Sequence, residues 1–216
     1  MLSIRNLIVI AGIACLVLVG MLYSGLYQPA FAAKLVASTS FIALAIKAGA
    51  MASTYGRLIL LGLGFSWCGD MFLTGQSQLA FLAGLCAFLL GHVAYVSAFI
   101  CHGYRRAWVF VAAVPVLAVA VAVLAWLAPH TPPDLEIPVR AYIVVISLMV
   151  IFAYGTRGHD GSILIAIGAT LFFLSDLSVA ALRLAQIGYP TYVLGLPLYY
   201  AGQACLALSV SHSRSH

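Results

Sequence analysis

Apolar residues fill this chain in long stretches, each closed by a short cluster of glycine, proline, serine or charged side chains. Runs of roughly 20 apolar residues match the thickness of a bilayer core, and the breakers between them carry turn chemistry. Reading runs against breakers predicts helices at 6–24, 32–49, 56–74, 79–101, 107–127, 137–155, 162–184 and 191–210. The breaks are Ser24-Gly25, Gly49 to Gly56, Thr74 to Gln78, His102 to Arg106, Pro129 to Pro138, Gly155 to Gly161 and Gly188-Tyr189-Pro190. The expected fold is all-α: a polytopic membrane protein of eight transmembrane helices forming a single integral membrane domain over 1–216.

The proline-rich break near the middle invites a test for duplication. A shift of 106 residues superimposes Lys34 on Arg140, Gly49 on Gly155, Gly62 on Gly168 and Asp70 on Asp176. After a gap of five residues, Gly84-Leu85 meets Gly195-Leu196 and Gly91-His92 meets Gly202-Gln203. Glycine and leucine matches between apolar helices are cheap, so the weight rests on the paired charges. Two repeats are therefore expected, about 6–101 and 107–210. Four helices return the chain to its starting side, so the halves should be parallel, with both aspartates at equal depth.

Composition agrees with the pattern. Of 216 residues, 64% are hydrophobic and 7% charged, too little polar surface to cover a soluble domain of this size. The net charge of +5 is spread singly near helix ends, which argues for topology signals and against a nucleic-acid partner. Arg5, Lys47, Arg57, Arg105, Arg106, Arg157 and Arg214 fall on one side, and Lys34, Arg140 and Arg183 on the other. Both termini are expected in the cytoplasm of a bacterial inner-membrane-type protein. Met1 to Lys34 resembles a secretory signal, with Ala30-Phe31-Ala32 as a cleavage-like segment, but the run Leu7 to Tyr23 is long enough to span and the repeat requires it as a helix. The cysteines, Cys15, Cys68, Cys86, Cys101 and Cys205, include no Cys-x-x-Cys pair and receive no disulfide, metal or redox role.

A carboxyl within a span is costly unless paired, neutralised or wetted, and it marks a functional site by default. Only Asp70 and Asp176 lie inside predicted spans, and they correspond in the repeat. Trp67, Phe172 and Phe173 stand three or four residues before them, at helical spacing, and would shield them from water. If one aspartate pairs with a cation and the other does not, their proton affinities separate, as an acid–base pair needs. The alternative is that Lys34 and Arg140 form buried salt bridges with the aspartates and only fix packing. His92 and its counterpart Gln203 could hydrogen-bond in a central cavity or act as interhelical glue. Tyr95, Tyr142, Tyr199 and Tyr200 could meet a substrate or anchor packing, with Tyr199 and Tyr200 favoured by standing within a turn of Gln203. Glycines 62, 64, 69, 84, 91, 168, 195 and 202 are expected to permit close helix contact. No histidine or cysteine cluster has metal-ligand spacing, and no nucleophile elbow or phosphate loop is present.

The stretch Gly56-Arg57-Leu58 through Cys68-Gly69-Asp70-Met71-Phe72-Leu73, followed by Phe81-Leu82-Ala83-Gly84-Leu85, Ala87-Phe88-Leu89-Leu90-Gly91-His92 and Tyr95, resembles the first-half signature of the YhhN-like membrane family. Phe172-Phe173-Leu174-Ser175-Asp176 and Leu198-Tyr199-Tyr200-Ala201-Gly202-Gln203 resemble its second-half motifs. The resemblance runs from Lys34 to about Val210. Leu35 stands where the family usually has proline, and Gly202 where it commonly has alanine.

That family includes the lysoplasmalogenases, so the resemblance implies hydrolysis of the vinyl-ether bond of a lysophospholipid substrate drawn from membrane lipid. One of Asp70 and Asp176 would donate the proton while the other stabilises positive charge or activates water, by analogy with glycosidases. Lys34 and Arg140 would hold the phosphate or tune the aspartates. His92, Tyr199, Tyr200 and Gln203 would position water or the ether oxygen, with Trp67 and Phe173 flanking. No metal or organic cofactor is implied. A small-solute transporter or channel built round a central charged site is the rival reading, and a structural membrane protein the third. Oligomeric state is left open.

Overall fold

The computed structural model describes residues 2–159 and 161–212, and Arg214, counted above as a topology signal, lies outside them. Eight α-helices follow one another: α1 Ile4–Tyr23, α2 Tyr27–Ala48, α3 Thr54–Phe72, α4 Gln78–His102, α5 Arg106–Leu127, α6 Glu136–Gly155, α7 Ile163–Arg183 and α8 Tyr192–Ser209. Serine side chains start several of them: Ser3, Ser53, Ser77 and Ser162 accept from the backbone N–H groups of Asn6, Gly56, Ala80 and Leu164. These bonds satisfy amides that the first turn leaves open. Gly49, at φ 92°, closes α2 in the left-handed region that glycine enters without strain. α2 begins five residues earlier than the apolar run predicts. Pro29 lies in its first turn, where its missing N–H has no helical partner to lose.

Six helices, α1, α2, α4, α5, α6 and α7, are long and apolar enough to cross a membrane. α3 and α8 are long enough but less apolar, since α3 carries Arg57 and Asp70 and α8 carries Gln203 and Pro197 among its tyrosines and glycines. The chain is an all-α integral membrane protein.

Helix contacts define a closed ring. α2 packs on α3, α3 on α4, α4 on α6, α6 on α7, α7 on α8, and α8 back on α2. α1 lies outside against α2 and α8, and α5 outside against α6. α5 buries only Ala112, Ala120 and Leu127, as a helix apolar all round does when lipid is its neighbour. The tightest seams are α3–α4 and α7–α8, both built on glycine. A methyl placed on Gly91 would sit 3.1 Å from the carbonyl oxygen of Gly62, and one on Gly202 would sit 2.9 Å from that of Gly168. Backbone approach this close needs residues without side chains.

Candidate active site

Inside the ring, a cavity of about 510 Å³ opens toward the end of the bundle where α2, α4, α6 and α8 begin. Its walls are mostly apolar, with Phe81, Leu85, Phe88, Ile143 and Phe173 among them. Both intramembrane aspartates reach it: Asp70, from the last turn of α3, and Asp176, from the middle of α7.

The two carboxyls have unlike surroundings. Asp70 is 3% exposed, and its Oδ2 accepts from Ser38 Oγ at 2.6 Å and from the Tyr199 phenol at 2.8 Å. Lys34 Nζ stands 3.7 Å from its Oδ1. Because Ser38 gives its one proton to Asp70, the Tyr200 hydroxyl, 3.2 Å away, donates to Ser38. A lysine and a chain of hydroxyls thus converge on the Asp70 carboxyl, the pairing that a buried polar group requires.

Among the described residues Asp176 has no lysine or arginine beside it, and His92 Nε2 stands 3.5 Å from its Oδ2. Its side chain is 18% exposed, and its Oδ2 accepts from the Tyr142 phenol at 2.6 Å. Tyr142 is also 2.9 Å from His92 Nε2. Since the phenol donates to Asp176, it accepts from His92, which assigns the imidazole proton to Nε2 and leaves Nδ1 buried without a partner. Among the described residues nothing hydrogen-bonds Asp176 Oδ1, so that oxygen is available to whatever fills the cavity.

The rings of Phe88, Tyr95, Phe172 and Tyr199 pack on one another edge to face, and His92 meets Phe172 edge to face at 4.7 Å and Tyr95 at a tilt at 6.5 Å. Tyr95 donates to Gln203 Oε1 at 2.7 Å, and the Gln203 amide nitrogen is buried without a partner.

Of the residues the sequence singles out, Lys34, Asp70, Asp176, Phe173 and Tyr199 line the cavity, while His92, Tyr200 and Gln203 stand behind that wall. Trp67 is turned away and donates from Nε1 to Thr39 Oγ1 at 3.2 Å. Arg140 corrects the expectation drawn from the repeat: its side chain is 64% exposed, pairs with Glu136 one turn away, and meets neither Asp176 nor the cavity. Tyr142 takes the place beside Asp176 instead.

Three contributors went unassigned in the sequence reading. Ser38 lies four residues after Lys34, hence on the same face of α2, a signal that helical periodicity supplies. Tyr142 was one of four candidate phenols, less favoured than Tyr199 and Tyr200, until the packing of α6 chose its face. Arg183, at the end of α7, lines the cavity although it has no cationic counterpart in the repeat. Among the described residues no three histidine, cysteine, aspartate or glutamate side chains gather as a metal site would need.

Known proteins match this chain in sequence. It is similar to the lysoplasmalogenase TMEM86A of Bos taurus, 31% identical over 170 residues, covering 72% of this chain and 66% of that one. TMEM86B of Sus scrofa, also named a lysoplasmalogenase, is 32% identical over 137 residues, covering 62% and 55%. A lysoplasmalogenase of Mycobacterium bovis is 35% identical over 176 residues, covering 78% and 61%. The matched region thus spans less than two thirds of the length of these curated relatives. No solved structure matches the chain. The sequence model of the YhhN family matches residues 28–210, from the first turn of α2 to the end of α8, so it takes in both aspartates and every helix of the ring; the chain belongs to the YhhN family.

Proposed function

We propose that this protein is a membrane hydrolase that cleaves the vinyl-ether bond of lysoplasmalogens, giving a fatty aldehyde and a glycerophospho-ethanolamine or -choline. One observation carries the reading: two carboxyls in unlike environments share one apolar cavity, in a chain similar to lysoplasmalogenases. A vinyl ether is opened by protonating the alkene carbon farther from the ether oxygen, which leaves an oxocarbenium ion for water to capture. The chemistry asks for one carboxylic acid and one carboxylate.

Asp176 is the proton donor in this reading, because its Oδ1 is open to the cavity while Tyr142 and His92 meet its Oδ2. Asp70, ringed by donors from Lys34, Ser38 and Tyr199, faces the developing positive charge. In the first step the Asp176 proton passes to the alkene carbon and the ether carbon becomes cationic. Water then adds to that carbon and returns a proton to Asp176. The hemiacetal collapses to the aldehyde, and its proton ends on the departing glycerol hydroxyl. Tyr142 steadies Oδ2 of Asp176 throughout, and His92 fixes the phenol. Phe173 flanks Asp176 and excludes bulk water. Tyr200 and Gln203 act from behind the wall.

The same reading takes the chain as one integral membrane domain in which all eight helices cross, as two parallel repeats over 6–101 and 107–210. The glycine contact Gly62–Gly91 has its counterpart in Gly168–Gly202, and the packing of α2 on α8 has its counterpart in that of α6 on α4. Both termini face the cytoplasm of a bacterial inner-membrane-type protein, by the count of cations at helix ends. The cavity then opens toward the outer leaflet, where a single-chain lipid can enter.

The test is aldehyde release from lysoplasmalogen in detergent micelles by the purified chain, Asp70→Asn and Asp176→Asn, each confirmed to be folded. Release by the wild type that vanishes in both variants supports the mechanism. No release, with a control enzyme active in the same micelles, overturns it and turns attention to solute movement across sealed vesicles.

A further inference from the structure

The rim of the cavity carries a guanidinium that this chemistry leaves unused. Arg183 closes α7 and lines the cavity. Its Nη2 donates to the carbonyl oxygens of Leu73 at 3.2 Å and Gly75 at 3.5 Å, in the turn that follows α3. Its guanidinium carbon stands 5.9 Å from the centre of the Phe81 ring. One edge of the fork is therefore held by the protein, and among the described residues the Nε and Nη1 groups donate to nothing.

Nor does a carboxylate balance its charge. Among the described residues Asp70 pairs with Lys34, Asp176 sits beside His92, Glu136 pairs with Arg140, and Asp134 accepts from Gln78. A half-buried guanidinium facing an apolar cavity without a counter-charge is a site for an anion, and its planar fork suits phosphate oxygens.

Position along the helix says which anion. Arg183 follows Asp176 by seven residues, which returns it to the same face of α7 about 10 Å nearer the rim. In a glycerophospholipid, six bonds separate the ether-bearing carbon of the chain from the phosphorus, a reach of roughly 7 Å at ordinary bond lengths. A guanidinium–phosphate hydrogen bond of about 2.8 Å closes the remainder. We propose that Arg183 binds the phosphate of a single-chain glycerophospholipid and so sets its ether bond against Asp176. The placement of the ether bond rests on the hydrolase reading, whereas the phosphate contact does not.

Kinetics test the first part. The purified chain and Arg183→Gln are compared on a lysoplasmalogen and on the matching 1-alkenylglycerol, which lacks phosphate. The wild type prefers the phosphate-bearing substrate by about ten- to hundredfold in kcat/KM, chiefly through KM, as a charge-assisted hydrogen bond is worth. In Arg183→Gln the preference disappears while turnover of the 1-alkenylglycerol stays at the wild-type rate. Equal loss on both substrates makes Arg183 a packing residue and overturns the proposal. Arg183→Lys, which keeps the charge, covers a misfolded glutamine variant: it retains a reduced preference, and a preference equal to that of the wild type overturns the fork contact.

Binding is read separately, through thermal stabilisation by a saturated 1-alkyl lysophospholipid that cannot be cleaved, by the 1-alkylglycerol and by inorganic phosphate. Stabilisation by the lysophospholipid alone, lost in Arg183→Gln, upholds the site even if no aldehyde is released, in which case only the hydrolase reading fails. Equal stabilisation by both lipids overturns the site. Stabilisation by inorganic phosphate as strong as by the lysophospholipid overturns the lipid source.

Discussion

Arg140 and Tyr142 stand two residues apart on α6 and point to opposite sides of it. That spacing turns them about 200° around the helix axis, so when one faces the ring interior the other must leave it. Tyr142 takes the interior and lies 2.6 Å from Asp176, while Arg140 pairs with Glu136 at the exposed surface. The second aspartate thereby meets a phenol in place of an arginine, and the two carboxyls differ for this reason.

Tyr142→Phe removes the one phenol that touches Asp176 while keeping the ring that fills the wall. Turnover in the aldehyde assay is expected to fall about ten- to hundredfold, in line with loss of a group that supports proton transfer, with KM little changed. His92→Gln preserves a donor toward the phenol and costs less than His92→Ala. Equal losses in the two would show that His92 acts by packing alone.

Arg140→Gln breaks an ion pair that is solvated at both ends. Exposed pairs of this kind contribute at most about 0.5 to 1 kcal/mol. Both the melting temperature in detergent and the rate of aldehyde release are expected to stay near wild type. A loss of activity beyond about threefold would place Arg140 in the machinery after all.

Asp70→Asn leaves the Lys34 ammonium, with 13% of its side chain exposed, facing a neutral amide. Breaking one side of a buried pair is destabilising by about 3 to 5 kcal/mol, and a neutral isostere of both partners recovers most of it. The double variant Asp70→Asn with Lys34→Met is expected to melt above Asp70→Asn alone while remaining inactive. Recovery of stability without activity separates the chemical role of Asp70 from its packing.

Gly202→Ala adds a methyl 2.9 Å from the Gly168 carbonyl oxygen and 3.1 Å from the Phe172 amide nitrogen, both backbone atoms that cannot rotate away. α7 and α8 must separate, and a loss of about 1 to 3 kcal/mol is expected, read as a lowered melting temperature. Gly64→Ala, which meets nothing within 4 Å, is the matched control and is expected to melt like the wild type.

All eight helices, their breaks and the two aspartates within them were legible in the sequence, because a bilayer imposes length and apolarity on each span independently of its neighbours. Paired charges and glycines pointed to Asp70, Asp176 and Lys34 for the same local reason: each is anomalous within its own span. The ring was not legible, since it depends on which helices touch. It places α1 and α5 outside, brings Tyr142 of α6 and His92 of α4 to Asp176 of α7, and joins Ser38 of α2 with Tyr199 of α8 on Asp70. Arg140 shows the limit most clearly. Its match to Lys34 in the sequence is real, but a side chain's destination is fixed by the rotation of its helix against its neighbours. In an apolar helix with little amphipathic signal, packing alone decides that rotation.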